Sequence, residues 1–519
     1  MAGVGVVAER GRAFDADVII AGAGPSGLTV GCEAALGGAR VVILEKRDGP
    51  TWSRAGSIAP RVMEIFESRG IAAKMLARAR ELHENPYVRE GIWAGLRPIH
   101  YAALDSDYKS ILMLTQLEIE RLLAEHFISL GGDLRRQSEV TGLTQYEDRV
   151  EVSYRDPSGA SRTLTGRYLV GADGNRSVVR EAAGIGRTGT PARRIAINVD
   201  AFAPNPHDEV LMVANSERGW SMTYPLRDGV TRFAMIDAQT CDQIPDGPIE
   251  LEQAKAMLRR VHGTDYGITK VDAINSFHDA LYLADRIRDR RVFLVGESVR
   301  VHYPASGVGM NFCIQDAFNL GWKLAAAVKG RASEWLLESY VTERLPEIQA
   351  LIDDVRRQCA IQFNFDAEHV ALKRFLERDV LPVPAVNLKI CENLAGLSAR
   401  YPAPAGSPAV VGTRVPNLPI EGGDSLFALL RQQQFVLLDL EGAAVLPLVV
   451  GGLPVVTAAA RSGNRPLLAG LKTLLVRPDG HAAWASGRSL MEYLPERELR
   501  SWLNLRADET CLRHAGDRH

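Results

Sequence analysis

Short β-branched runs and longer stretches of helical spacing alternate along the first part of the chain. Asp17-Val18-Ile19-Ile20-Ala21 stops at a glycine cluster, as a buried parallel strand does. Residues 28–36, rich in Ala, Leu and Glu, predict a helix, and Arg40-Val41-Val42-Ile43-Leu44-Glu45 predicts the next strand, so the three form a βαβ unit. Residues 117–130 carry apolar positions at helical spacing with charges between them, and Gly131-Gly132 would end that helix. Strand patterns return at 150–154 and 163–170. From residue 195 to 237 the pattern changes to alternation, as in Trp220-Ser221-Met222-Thr223-Tyr224 and Thr231-Arg232-Phe233-Ala234-Met235-Ile236, with Asp228-Gly229 as a turn. This predicts an antiparallel sheet inserted into the first fold. The chain returns to that fold at Arg291-Val292-Phe293-Leu294-Val295-Gly296, followed by a helix over 309–328 with Gly330 at its end. A proline-rich linker over 401–419 leads to strand-like runs at 435–439 and 473–476 and a turn at Pro478-Asp479-Gly480. The expected class is α/β: a discontinuous Rossmann-like domain (15–190 and 275–400), an inserted sheet domain (191–274) and a C-terminal domain (401–519).

Composition narrows the partners. At roughly 150 residues per domain, 519 residues suggest about three domains. A content of 46% hydrophobic and 24% charged residues is that of a globular protein able to bury sizeable cores. Lys and Arg total 61 against 63 Asp and Glu, so no basic field favours nucleic acid or an acidic membrane. The six cysteines (Cys32, Cys241, Cys313, Cys359, Cys391, Cys511) include no CxxC pair to hold zinc or cycle as a dithiol, which fits a reducing cytoplasm. No apolar run approaches the roughly 20 residues needed to span a bilayer, and residues 1–17 read as a short extension without the basic and apolar segments of a leader.

Gly22-Ala23-Gly24-Pro25-Ser26-Gly27 fits G-x-G-x-x-G in the context that a dinucleotide fingerprint needs, between a strand and a helix. Gly22 permits the tight turn, Gly24 lets the backbone approach a pyrophosphate, Gly27 lets helix and strand pack closely, and the helix start supplies N–H groups and partial positive charge. Glu45, 23 positions after Gly22, is placed to bind an adenosine ribose through its hydroxyls. The plainer alternative is a turn with a solvated acid beside it. The fingerprint alone does not separate FAD from NAD.

Two later segments do. Leu169-Val170-Gly171-Ala172-Asp173-Gly174-Asn175-Arg176-Ser177 follows one predicted strand, and 295–311 follows another and opens a helix. Here the sequence resembles the single-component FAD aromatic hydroxylases of the p-hydroxybenzoate hydroxylase type. Within that group it is most similar to hydroxylases that tailor aromatic polyketides or modify rifamycin-type antibiotics. The matching stretches are Trp52-Ser53-Arg54-Ala55-Gly56, Arg61-Val62-Met63-Glu64-Ile65, Arg69-Gly70, Gln315-Asp316-Ala317-Phe318-Asn319-Leu320-Gly321-Trp322-Lys323-Leu324 and Leu475-Val476-Arg477-Pro478-Asp479-Gly480-His481-Ala482-Ala483-Trp484.

The resemblance implies a thioredoxin-like C-terminal domain without redox cysteines. It also gives residues roles toward FAD: Gly22, Gly24, Pro25, Ser26 and Gly27 at the pyrophosphate, Glu45 and Lys46 at the ribose end, Arg54 at flavin and pyrophosphate, Gln116 near the ADP half, and Asp173 near the pyrophosphate and nicotinamide route. Glu297 would take the ribityl hydroxyl, and Gly307, Gly309, Met310 and Asn311 would meet flavin N1 and the C2 oxygen, where reduced flavin is anionic. For Asn311 a simple helix cap is an equal reading. NADPH or NADH would act as a transient co-substrate, oxygen would add at flavin C4a, and the hydroperoxide would hydroxylate a flat aromatic substrate. That substrate is expected against Met222, Tyr224, Phe233, Met235, Tyr303 and Pro304, each of which also reads as ordinary core; Tyr224 and His302 are candidates to orient or deprotonate a phenol. The protein is expected as a monomer or homodimer, without metal; there is no G-x-S-x-G or H-E-x-x-H signature.

Four positions depart from the family pattern: Glu297 stands for the usual Asp, Arg300 for His, Ser306 for Gly and Val308 for a polar residue. They keep two alternatives open on the same fold, Baeyer-Villiger oxygenation and a non-oxygenating FAD enzyme. A cofactor-free binding or scaffold protein is a third.

Overall fold

The computed structural model describes residues 14–502 apart from 51–54, 204–205, 207–210, 228, 333, 442–447, 451–452, 462, 464, 491, 494–496 and 498–500. Arg54 and Asp228 therefore lie outside the described residues, as does Cys511.

Val18, Ile19 and Ile20 are fully buried in the strand Ala16–Ala21, which forms the middle of the main sheet. The strand order there is Arg288–Asp289, Val292–Leu294, Ser161–Gly171, Ala16–Ala21, Val41–Leu44 and Asp133–Arg135, with Val150–Arg155 and Glu139–Gln145 added antiparallel beyond Ser161–Gly171. The ladders from Val292–Leu294 to Asp133–Arg135 are parallel. Chain order reverses at Ala16–Ala21, and a ligand crevice forms outside the carboxyl ends of the strands at such a switch point. Helices Pro25–Leu36 and Gly309–Val328 cross on one face of the sheet. Gly321 permits the crossing, because a Cβ there would lie 2.4 Å from Glu33 Cβ.

The inserted sheet has the order Met212–Ser216, Gly219–Arg227, Val230–Asp237, Ile195–Ala201 and Val271–His278, all antiparallel. Its last strand carries it past residue 275. Strands expose alternate residues to opposite faces, and the two faces here bury different things. Ile197, Val199, Phe233 and Met235 pack on Ala254, Met257 and Leu258 of helix Leu251–His262. Trp220, Met222, Ala234 and Ile236 pack instead toward Tyr303, Ala305 and Val308.

The C-terminal sheet has the order Leu448–Val450, Leu453–Ala459, Val436–Asp439, Thr473–Val476 and Ala482–Ser486. One parallel ladder next to an antiparallel pair is the thioredoxin-like arrangement. Buried ion pairs tie it to the rest. Arg69 holds Glu33 through two bonds of 2.7 and 2.9 Å while also donating to the carbonyls of Leu430 and Pro478. Arg477 reaches Glu343 at 2.6 and 2.9 Å and Asp479 at 2.5 Å, and Lys323 reaches Glu343 at 2.7 Å.

Candidate functional site

Strand tips near Gly22, Asp173 and Gly296 meet in one place. A Cβ on Gly22, whose φ is +102°, would lie 2.5 Å from the Ala172 carbonyl oxygen and 3.2 Å from Asp173 Cα. A Cβ on Gly296 would lie 2.4 Å from Ser26 Oγ. At Gly22 only glycine lets two backbones approach this closely; at Gly296, with φ +68°, it makes room for the Ser26 side chain. Gly24, by contrast, has nothing within 4 Å of a Cβ position, so open space adjoins it.

Two helix starts are left without a side-chain cap at this crevice. Gly24 and Val308 are the residues before helices Pro25–Leu36 and Gly309–Val328, and neither supplies a capping acceptor. Their N–H groups form the positive ends of two helices, the arrangement that binds phosphate or a ring oxygen bearing negative charge. Glu45 closes one side. Its Oε2 accepts from Ala23 N at 2.7 Å and its Oε1 from Arg47 N and Nε, both at 2.9 Å. Burial would raise this carboxyl, but the Arg47 and Ala23 bonds outweigh it and hold the group below its ordinary value. It stays ionised, with lone pairs left for hydroxyls. Lys46 and Arg47 line an open groove beside it with Gln137 and Arg155.

The expected site residues fall into distinct places. Asp173 accepts from Ser177 Oγ at 2.5 Å and Val179 N at 3.1 Å, so it organises the short helix Val178–Ala182, and burial raises its pKa. Gln116 begins helix Gln116–Ser129, donating its backbone N–H to Ala55 and its Nε2 to Glu120 Oε1 at 2.7 Å. Glu297 is exposed, one residue beyond the buried Gly296. Gly307 has a φ of +69° and open space around its Cβ position. Met310 packs on the main core.

Asn311 does not cap its own helix. Oδ1 accepts from Ala59 N at 2.7 Å and Nδ2 donates to Ser57 O at 3.3 Å, fastening the segment after the 51–54 stretch to the helix start. The residue is 2% exposed. Asn311→Ala should therefore cost about 2 kcal/mol by leaving the buried Ala59 N–H unpaired, measured by denaturant unfolding; a change under about 0.5 kcal/mol would contradict this.

Of the expected substrate contacts, Phe233 and Met235 sit on the helix-packed face and point away from the crevice. Apolar alternation reads both faces alike, so residue type gave no signal of which one opens onto it. Tyr303 stacks edge-on against Phe363 at 4.9 Å and is buried, whereas Pro304 is exposed. Met222 and Tyr224 share the crevice-side face, with Tyr224 Oη 3.8 Å from a Cβ position at Gly56. Arg232 lies opposite Tyr224 in register and makes a doubly bonded pair with Asp200 at 2.7 and 2.8 Å. Strand periodicity does not reveal this buried pair; the cue available is a charged residue, Asp200 and Arg232, inside each of two largely apolar strands. Asn275 is on the same face, and its Nδ2 has no hydrogen-bond partner among the described residues.

His302 Nδ1 lies 2.8 Å from the Tyr303 carbonyl, which can only accept, so Nδ1 carries the proton and Nε2 offers a lone pair. Burial, then the nearby Arg300, pushes its pKa down to about 4. The neutral ring touches the helix start, with Cε1 3.3 Å from a Cβ position at Gly309. Ser306 adopts φ +52° and donates to Gln358 Oε1 at 2.6 Å.

The crevice therefore offers open space beside Gly24, a carboxylate for hydroxyls and a second helix start for a ring edge. An extended dinucleotide fits those donors. Comparison with known proteins agrees. A family model for an FAD binding domain matches residues 15–355, and one for the aromatic-ring hydroxylase C-terminal domain matches 408–505. The chain is similar to a rifampicin monooxygenase of Streptomyces venezuelae, 33% identical over 90% of this chain and 95% of that one. It is also similar to a dialkyldecalin synthase of Streptomyces rugosporus, 30% identical over 92% and 97%. Among solved structures, the anhydrotetracycline hydroxylase from Streptomyces rimosus superposes with a TM-score of 0.82 at 33% identity, covering 95% of this chain and 100% of that one. Matches that span both the crevice and the C-terminal sheet make one conclusion: this chain belongs to the FAD-dependent aromatic monooxygenases.

Proposed function

We propose that this chain uses FAD, NADPH or NADH, and O2 to hydroxylate a polycyclic, polyketide-type aromatic substrate, releasing water and oxidised nicotinamide. The observation that carries this reading is the pair of uncapped helix starts at Gly24 and Val308 opening on one crevice under the inserted sheet. Gly22, Gly24, Pro25, Ser26 and Gly27 would hold the pyrophosphate, Glu45 and Lys46 the ribose end, Gln116 would lie near the ADP half, Asp173 near the pyrophosphate and nicotinamide route, and Glu297 would take a ribityl hydroxyl. Gly307, Gly309, Met310 and Asn311 would present backbone to the ring. Bound FAD supplies the electron transfer and oxygen activation that no side chain here can perform.

The protein's part is orientation and exclusion of water. Met222, Ala234 and Ile236 give the covering face an apolar surface, while Tyr224 and Asn275 place polar atoms on it for substrate oxygens. His302, kept neutral by burial, can orient a phenol by accepting its hydrogen bond at Nε2. Residues 15–190 and 275–400 are read as the cofactor unit, 191–274 as the substrate cover and 401–519 as a brace. The four buried thiols Cys32, Cys241, Cys313 and Cys391 are free, which favours the cytoplasm, and no helix among the described residues is long and apolar enough to cross a membrane.

The test is to purify the protein with FAD, add tetracycline- and rifamycin-type aromatics, and follow nicotinamide oxidation, oxygen uptake and product mass. We expect substrate-stimulated oxidation and a product heavier by one oxygen on an unchanged carbon skeleton. A product with an expanded ring would indicate Baeyer-Villiger insertion. Turnover without oxygen uptake would favour the non-oxygenating reading, which the similarity to a dialkyldecalin synthase supports.

A further inference from the structure

We propose that Ser306 is a positioning residue: its hydroxyl ties the loop before helix Gly309–Val328 to the hairpin turn that holds the inserted sheet, so that loop and substrate cover keep one spacing. The inference rests on the cofactor and substrate reading above.

The tie is a chain of bonds that meets at Gln358, a buried residue of helix Glu334–Gln362. Gln358 Oε1 accepts from Ser306 Oγ at 2.6 Å and from Ala94 N at 2.9 Å, while its Nε2 donates to Asp354 Oδ2 at 2.7 Å. The Ala94 N–H can only donate, which turns the amide oxygen toward it. Ser306 must then donate as well, and its one hydroxyl hydrogen is committed to this bond.

Ala94 and Gly95 form the turn between strands Glu90–Trp93 and Leu96–His100, with φ of +53° and +73°. The far side of that turn grips the inserted sheet. The Gly95 carbonyl accepts from Trp220 Nε1 and from Asn215 Nδ2, both at 3.0 Å. The fit leaves no room for a side chain, since a Cβ on Gly95 would lie 2.5 Å from Trp220 Nε1. Trp220, Ala305 and Val308 also share one buried core, so the bonds cross a packed seam from which water is excluded.

The backbone at 306 gains nothing from a serine. Its φ of +52° is one at which glycine is unstrained, so the side chain is there at a conformational cost. What it adds is the hydroxyl. Gly307, with φ +69° and open space around it, would otherwise leave two free positions in succession before the helix start. On the cofactor reading, backbone from Gly307 onward meets the ring edge, and Trp220 and Met222 lie on the face that covers the substrate. The tie therefore sets the gap into which a flat substrate slides, and with it where the substrate carbon lies relative to the ring.

The experiment compares wild type with Ser306→Gly, Ser306→Ala and Gln358→Leu by amide hydrogen exchange, with and without FAD, and by hydroxylated product formed per nicotinamide oxidised. Ser306→Gly relieves the backbone, so its fold is secure. Loss of one such bond should quicken exchange about fivefold at 304–309 and about twofold across the tie, at 93–96 and 212–221. Ser306→Ala should show the same pattern, which isolates the hydroxyl from the backbone. Gln358→Leu should release the same segments, and adding Ser306→Gly to it should change nothing further. Product per nicotinamide should fall several-fold in each variant, while FAD affinity stays within about threefold of wild type. Faster exchange confined to 304–309 would overturn the proposal and make Ser306 a local loop residue. An unchanged product yield in Ser306→Gly would overturn it too. A wild-type protein that takes up no FAD, or forms no hydroxylated product, would instead overturn the reading it rests on, and exchange in the FAD-free chain would still decide whether the tie exists.

Discussion

Gly27→Ala protein should come out of purification without FAD and unfold about 3 kcal/mol more easily than wild type. The added methyl would sit 2.0 Å from the Gly22 carbonyl oxygen and 3.2 Å from Ala172 Cβ, and the first of these is backbone that no rotamer change can move. Strand and helix would have to separate, and with them the two tips that bracket the crevice. Gly24→Ala is the informative contrast. Nothing lies within 4 Å of its Cβ position, so the fold should lose less than about 1 kcal/mol, the cost of a poorer residue before the helix, while the methyl occupies the opening assigned to pyrophosphate. Unfolding curves with and without FAD separate the two effects. If Gly24→Ala retains FAD as tightly as wild type, the pyrophosphate lies elsewhere.

Glu343→Gln should cost about 3 kcal/mol, because it leaves the buried Lys323 and Arg477 short of a counter-charge. The pH dependence gives the sharper check. Burial would raise the Glu343 carboxyl, but Arg477 and Lys323 overcome it and hold the group down at about 2, against an ordinary 4.5. A depressed acid adds stability above its unfolded value and loses it as the proton returns. Wild type should therefore lose about 3 kcal/mol between pH 4.5 and 2 from this group, and the Gln variant should lack that portion of the decline. For Lys323, burial pushes the amine down to about 8 despite Glu343, so the amine loses its charge more readily in the fold than in the unfolded chain. Without Glu343 the amine would lose its charge at still lower pH, so the deficit of the variant should narrow as pH rises toward that value and level off above it. Parallel acid profiles for the two proteins would rule out Glu343 as the source.

The βαβ start, the inserted sheet and the return strand were legible because each has a strong local signature. Val18 to Ala21 is a continuous apolar run ending in glycines, and the pairing of Ala21 with Gly171 and Gly171 with Leu294 follows from parallel strands buried on both faces. Gly22 and Gly27 were legible for the same reason: their tight approaches are dictated by backbone, which leaves a residue-type record. The side of a strand leaves none. Phe233 and Met235 are as apolar as Ala234 and Ile236, and only the position of helix Leu251–His262 decides which pair it covers. A side-chain cap is a natural reading for Asn311, yet its side chain ties down Ala59 and Ser57 across 252 and 254 residues of sequence that no local pattern could connect. The pairing of Arg232 with Asp200, and of Arg300 with Asp316, likewise depends on tertiary proximity that neither strand nor helix periodicity encodes.

The two-sidedness of the inserted sheet also sets how the enzyme can evolve. A mutational library drawn at Met222, Tyr224, Ala234 and Ile236 would reshape the side that faces the crevice, whereas changes at Phe233 and Met235 would meet Met257 and Leu258 and be filtered by folding before any ligand was sampled. A single-residue insertion upstream in one of these strands would exchange the two sets, so drift in specificity should proceed by substitution at every other position and rarely by changes in length.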